Sequence, residues 1–146
     1  MTPALNLDVL SAEGRRGPAE PSSIADTEEK LGITFPADLR AFLLQTDGYE
    51  GWIGENYAQL YRATDISESQ LSYFDEDAPG FVMIGSNGAG EAFGYDTRSS
   101  PWRMVMMPMI GMEWDVAIPI GVSFADFLAL ASVHDLFDLD EEENAS

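Results

Sequence analysis

The side chains that carry most enzymatic chemistry are scarce in this chain, which has no cysteine and a single histidine, His134. Disulfides, thiolate nucleophiles and thiolate-bound zinc are excluded by inventory. A lone imidazole completes neither a zinc ligand set nor a Ser-His or Cys-His nucleophile pair. His134 falls near the end of an apolar helical stretch, where it packs or complements the helix dipole. Gly88, Gly90 and Gly94 raise the idea of a phosphate cradle. The segment lacks a Walker lysine, departs from G-x-G-x-x-G at Phe93, and places Glu91 where an anion would approach, so a tight turn needing positive φ is the reading it supports. Carboxylates are so abundant that Asp75, Glu76, Asp77, Asp96 and Asp115 carry no specific glycosidase signal. The closing DLDEEENAS lacks the ligand spacing and turn glycine of an EF-hand loop. The expectation is a protein that is not an enzyme, with no catalytic residue, cofactor or metal.

Chemistry of contact is better represented. The net charge is −19, from 26 acidic and 7 basic residues. Such a surface repels phosphate backbones and speeds the encounter with a basic partner; acidity also simply keeps a protein soluble. Trp52 is flanked by Glu50 and Glu55, and Trp114 by Glu113 and Asp115. An aromatic anchor ringed by carboxylates suits a basic protein surface, because tryptophan is enriched in interface hot spots. Glu50, Trp52, Glu55, Trp102, Glu113, Trp114 and Asp115 are therefore the candidate partner-binding residues. Trp52 is expected in a loop, whereas Trp102 and Trp114 serve either the core or an interface. Every methionine after Met1 lies between Met83 and Met112. They are core filler or an adaptable contact surface, and strand alternation puts Met104 and Met106 on one face, Val105 and Met107 on the other.

These side chains must be positioned by elements that the pattern predicts. Ser23 and Asp26 have capping-box spacing before a short helix with Ile24 and Leu31 on its buried face, ended by Gly32. A second helix starts near Pro36, carries Leu39, Phe42 and Leu43, with Leu44 widening the stripe, and closes at Asp47-Gly48. Tyr49 to Tyr61 reads as loop, then strand. Asp65 and Glu68 introduce a third helix with Ile66, Leu71 and Phe74, ending at the acidic run 75–77. Phe81 to Ile84 and Ala92 to Tyr95 form a hairpin, followed by strands over Trp102 to Met107, halted by Pro108, and Trp114 to Ile118. Ser123 and Asp126 cap a last helix with Phe124, Phe127, Leu128 and Ala131 on its apolar face. The fold class is α+β: an antiparallel β-meander sheet packed with about four helices. Residues 1–21 form a partly flexible lead-in, 22–137 the domain, and 138–146 an acidic, disordered tail.

The string IADTEEKLGITFPADLRAFLLQTDG, from Ile24 to Gly48, resembles the opening signature of the SUKH superfamily of SMI/KNR-type proteins. The resemblance rests on Glu28 and Leu31 in the short helix, Gly32, the Phe35-Pro36 step, Leu39, Phe42 and Leu43, and Gly48. FVMIGSNGAGEAFGYD is similar to that family's glycine-rich hairpin and SFADFLALA to its C-terminal helix. The resemblance implies a SUKH-like α+β fold and a non-enzymatic role. In bacterial members that role is often immunity to a toxin delivered by competing cells; in others it is regulation or scaffolding of an endogenous partner. The expected partner is a protein, a toxin domain with a basic surface, rather than nucleic acid or membrane. The chain is expected in the cytoplasm as a monomer or weak dimer, since it lacks a basic, apolar leader and any run of about 18 apolar residues.

Overall fold

The computed structural model describes residues 4–72 and 77–139, with the backbone alone for 69–72. Helix α1 (Pro21–Leu31) starts earlier than the Ser23 capping box predicts. Pro21 occupies the first helical position, where its missing N–H costs nothing, and the Glu20 carbonyl accepts from Ser23 N and Ile24 N without any side-chain cap. Gly32 ends the helix at φ 69°, in the left-handed region. Helix α2 (Ala37–Gln45) buries Leu39, Phe42 and Leu43, but Leu44 is 39% exposed, so the apolar stripe is narrower than its sequence suggests. Glu28 joins the two helices: its Oε2 accepts the Phe35 amide and the Arg40 guanidinium, both at 2.7 Å.

Six strands follow as one antiparallel sheet in chain order, β1 (Tyr49–Ile53), β2 (Asn56–Leu60), β3 (Phe81–Ser86), β4 (Glu91–Asp96), β5 (Arg103–Pro108) and β6 (Ile118–Gly121). Helix α3 (Ala63–Ser72) leaves the sheet between β2 and β3, and α4 (Phe124–Val133) closes the domain. Among the described residues, the α+β meander packed with four α-helices is thus as the sequence predicts. Further boundaries differ. The expected loop before Tyr57 is strand β1, which pairs with β2 at five positions because Tyr49 and Ile53 bury completely on the core side. Helix α3 begins at Ala63, whose amide donates to Asp47 Oδ1 at 2.8 Å, so Asp65 lies inside the first turn rather than capping it. Trp114–Val116 is a short 3-10 helix instead of a strand. The last strand starts at Ile118 and tolerates Pro119 because it is outermost. The predicted Phe74 and most of the acidic run lie in 73–76, and most of the predicted tail in 140–146, outside the described residues.

The sheet is buried on both faces. Ile84, Phe93, Tyr95, Met104 and Met106 face the main core with the buried side chains of α1, α2 and α4. Phe81, Met83, Ala92, Val105 and Met107 form a second cluster on the opposite face, against which Met109 and Trp114 pack. The methionines divide by strand alternation as their spacing requires. Helix α4 has the expected cap: Ser123 Oγ accepts from Asp126 N at 3.0 Å, and Asp126 Oδ2 accepts from Val122 N at 2.9 Å. Chain beyond the helices and strands also contributes, with Leu10 and Ala19 buried before α1 and Leu136 and Leu139 buried after α4.

Candidate protein-binding interface

The first candidate site is built on the β1–β2 hairpin. Alternation sends Tyr49 and Ile53 into the core and Glu50 and Trp52 outward, opposite Gln59 and Tyr57 of β2. The buried Tyr49 ring folds under its own strand: its hydroxyl accepts the Ser11 amide at 3.0 Å and donates to the Trp52 carbonyl at 2.8 Å. Gly51 permits this, because a Cβ there would meet the Tyr49 hydroxyl at 2.9 Å. Gly54, at φ 59°, takes the first central position of the turn, where a primed hairpin turn needs positive φ. A Cβ on Gly54 would meet the Ala131 and Ser132 carbonyls at 2.7 Å, so the turn lies directly against the end of α4.

This scaffold holds Trp52 in the open. The side chain is 60% exposed, its only described ring partner being Tyr57, edge-on at 5.3 Å. Tyr57 is held in turn, its hydroxyl donating to Glu50 Oε2 at 2.7 Å, and Arg16 stands 3.7 Å from the other Glu50 oxygen. That hydrogen bond to a carboxylate is the main reason the Tyr57 phenol is pushed above its ordinary value, with desolvation second. Glu50 therefore orients the aromatic pair, while Glu55 stands exposed in the turn. Sequence reasoning missed Tyr57 and Arg16. The Gly-Glu turn after Ile53 was the available signal, since it puts Tyr57 opposite Trp52.

The other candidates are elsewhere. The sheet order places β1 and β6 at opposite edges, which separates Trp52 from Trp102 and Trp114. Trp102 is half-buried against Tyr95, at 5.6 Å. Trp114 is also half-buried: it donates Nε1–H to the Pro79 carbonyl at 2.8 Å, meets Phe81 edge-on and lies beneath the Arg98 guanidinium at 3.7 Å. Arg98 is fixed by a fork of hydrogen bonds to both Asp96 oxygens at 3.0 Å, which holds the Asp96 carboxyl below its ordinary value. Glu113 and Asp115 are exposed beside this staple. Of the three tryptophans, Trp52 alone presents most of its surface to solvent.

A clasp beside the hairpin completes the face. Asn56 Nδ2 donates to the Ala131 and His134 carbonyls at 2.7 Å, and its Oδ1 accepts the Leu136 amide at 3.1 Å. This brings Phe137, 50% exposed, alongside Tyr57 around a shared cavity. Among the described residues there is no cluster of three or more His, Asp or Glu side chains that could hold a metal. Among them also, no helix is long and apolar enough to cross a membrane. The arrangement is suited to contact: exposed aromatics held rigidly among carboxylates.

Comparison with known proteins gives two findings. The family model described as SMI1 / KNR4 family (SUKH-1) matches residues 18–130. The Bacillus subtilis (strain 168) protein YnaB, itself uncharacterized, is 38% identical over 86 residues, 58% of this chain and 55% of that protein. The chain therefore matches little more than half the length of that relative.

Proposed function

Because the chain belongs to the SMI1 / KNR4 (SUKH-1) family, we propose that it is a protein-binding immunity protein that neutralises a basic bacterial toxin by occupying its surface. The observation that carries this reading is Trp52, 60% exposed on a strand whose backbone is pinned from below by Tyr49. A large, rigid aromatic that a monomer leaves in water loses little conformational freedom on binding, which is what a hot spot requires. A net charge of −19 supplies the steering toward a basic partner such as a nuclease, whose own surface must hold phosphates. Inhibition follows from steric blockade, with no bond made or broken. A cysteine-free chain suits the reducing cytoplasm in which such a toxin would act.

The test begins with the neighbouring reading frame, where this reading expects a large secreted protein with a variable, basic C-terminal domain. Expression of that domain should arrest growth, and co-expression of this chain should restore it. Restoration should fail for Trp52→Ala at equal abundance. Growth arrest that the wild-type chain does not relieve would overturn immunity and favour regulation of an endogenous partner.

A further inference from the structure

The cavity beside Trp52 has a shape and charge that the hairpin alone does not explain. Its volume is about 210 Å³. Buried Phe93 and Met106, the aromatics Tyr57 and Phe137, and the exposed carboxylates Glu55 and Asp135 are among the residues that line it. Pockets for cofactors and drug-sized ligands run to about 300–1,000 Å³, so this one is sized for a single side chain. Its lining combines apolar, aromatic and anionic side chains. We propose that it receives an arginine side chain of the partner protein, its aliphatic stem against the apolar part of the lining and its guanidinium toward Glu55 and Asp135.

Each part of that side chain has its counterpart. Arginine buries its methylene stem along apolar surface while its head stays in water. Its planar, weakly hydrated cation stacks on aromatic faces and donates in a fork to carboxylates, which the compact, strongly hydrated lysine ammonium does less well. An anionic side chain would be repelled by Glu55 and Asp135. The chain's own continuation is a poor occupant for the same reason, since Leu139 is followed in sequence by Asp140, Glu141, Glu142 and Glu143. Tyr57 joins the cavity to Trp52, lining the one and touching the other, so a partner anchored on Trp52 would place the arginine within the same footprint. The inference rests on the reading of the Trp52 face as the protein-binding face.

The experiment uses a capped Gly-Arg-Gly peptide against the full chain at low salt, followed by NMR shifts of the Glu55, Asn56, Tyr57 and Leu136 amides and the Met106 methyl. The controls replace arginine with uncharged citrulline or with glutamate. The arginine peptide should give saturable shifts confined to these residues, and citrulline and glutamate should give none. The double variant Glu55→Gln, Asp135→Asn should weaken binding about five-fold, the scale of two exposed charge pairs, with an unchanged melting temperature. The carboxamide oxygen introduced by Asp135→Asn retains an acceptor for the Phe137 amide, which Asp135 Oδ1 now receives at 3.0 Å. Trp52→Ala should leave peptide binding intact. No saturable shift, or an equal response to citrulline, overturns the inference. If that occurs while Trp52→Ala still abolishes toxin neutralisation, the arginine pocket fails and the Trp52 face stands.

Discussion

Asn56 and Leu136, 80 residues apart, are joined by a hydrogen bond of 3.1 Å from the Leu136 amide to Asn56 Oδ1. The Asn56 amide nitrogen meanwhile serves the carbonyls of Ala131 and His134. One side chain in the second strand thus satisfies three backbone groups at the end of the last helix, where helical carbonyls lack partners within the helix. Asn56→Ala should destabilise the fold by about 2–4 kcal/mol, because buried polar groups left unpaired cost about 1–3 kcal/mol each and water recovers part of that. Urea unfolding measures the loss. Hydrogen exchange should show faster opening at Leu136 before any change in α2; uniform acceleration would mean the clasp is not local.

Phe42→Ala tests the other end of the core. Phe42 is buried on α2 and lies 4.9 Å from Phe124 of α4, so truncation opens a cavity between the two helices. The expected cost is about 3–5 kcal/mol by chemical denaturation. A loss below about 1 kcal/mol would require that α4 closes the gap by shifting, which the Phe124 ring environment in NMR would reveal.

Much of this architecture is legible in the sequence, for identifiable reasons. Helical spacing of Leu39, Phe42 and Leu43, the Ser123 cap and the strand alternation at Met104 to Met107 are local signals that tertiary packing reinforces. Strand β1 was hidden because Glu50 and Gly51 disfavour a strand and its stability comes from nonlocal contacts: Tyr49 with Ser11, and Gly54 against α4. The short 3-10 helix at Trp114 was hidden likewise, since the partners of the Trp114 ring, Pro79 and Arg98, lie elsewhere in the chain. Among the site residues, composition around Trp52 pointed to the hairpin. The partnership of Trp52 with Tyr57, and of Tyr57 with Phe137 around one cavity, depends on register and on the clasp, which no local pattern encodes.

The Asp96–Arg98 fork makes a pH-dependent contribution. Hydrogen bonding from Arg98 lowers the Asp96 carboxyl in the folded chain below its ordinary value of 3.8. The stabilisation is therefore present above the unfolded value and is lost as pH falls through the folded one. Arg98 is 51% exposed in its side chain, so solvent screening keeps the contribution small. Asp96→Asn should be less stable than wild type by a constant margin above about pH 5, and the margin should close in more acidic solution as wild-type Asp96 is protonated. A margin independent of pH would assign the effect to packing beneath Trp114 instead of to charge.

Contact and charge at the hairpin should fail in different kinetic steps. Trp52→Ala removes the exposed anchor without touching a buried group, so it should weaken toxin binding by more than about 2 kcal/mol, chiefly through faster dissociation. Glu50 requires a gentler change, because Tyr57 donates to it and Arg16 lies beside it; lysine there would release Tyr57 as well as reverse the charge. Glu50→Gln keeps an acceptor for Tyr57, and combined with Glu55→Gln it removes two carboxylates while leaving the aromatic pair in place. That variant should slow association about two- to three-fold and flatten its dependence on ionic strength, since exposed charges act through long-range steering that salt screens. Stopped-flow association from low to physiological salt, on variants that keep the wild-type melting temperature, separates the two effects. Salt-independent association with neither variant changing affinity would remove the hairpin from the interface and move the search to Trp102, Trp114 and the strands between them.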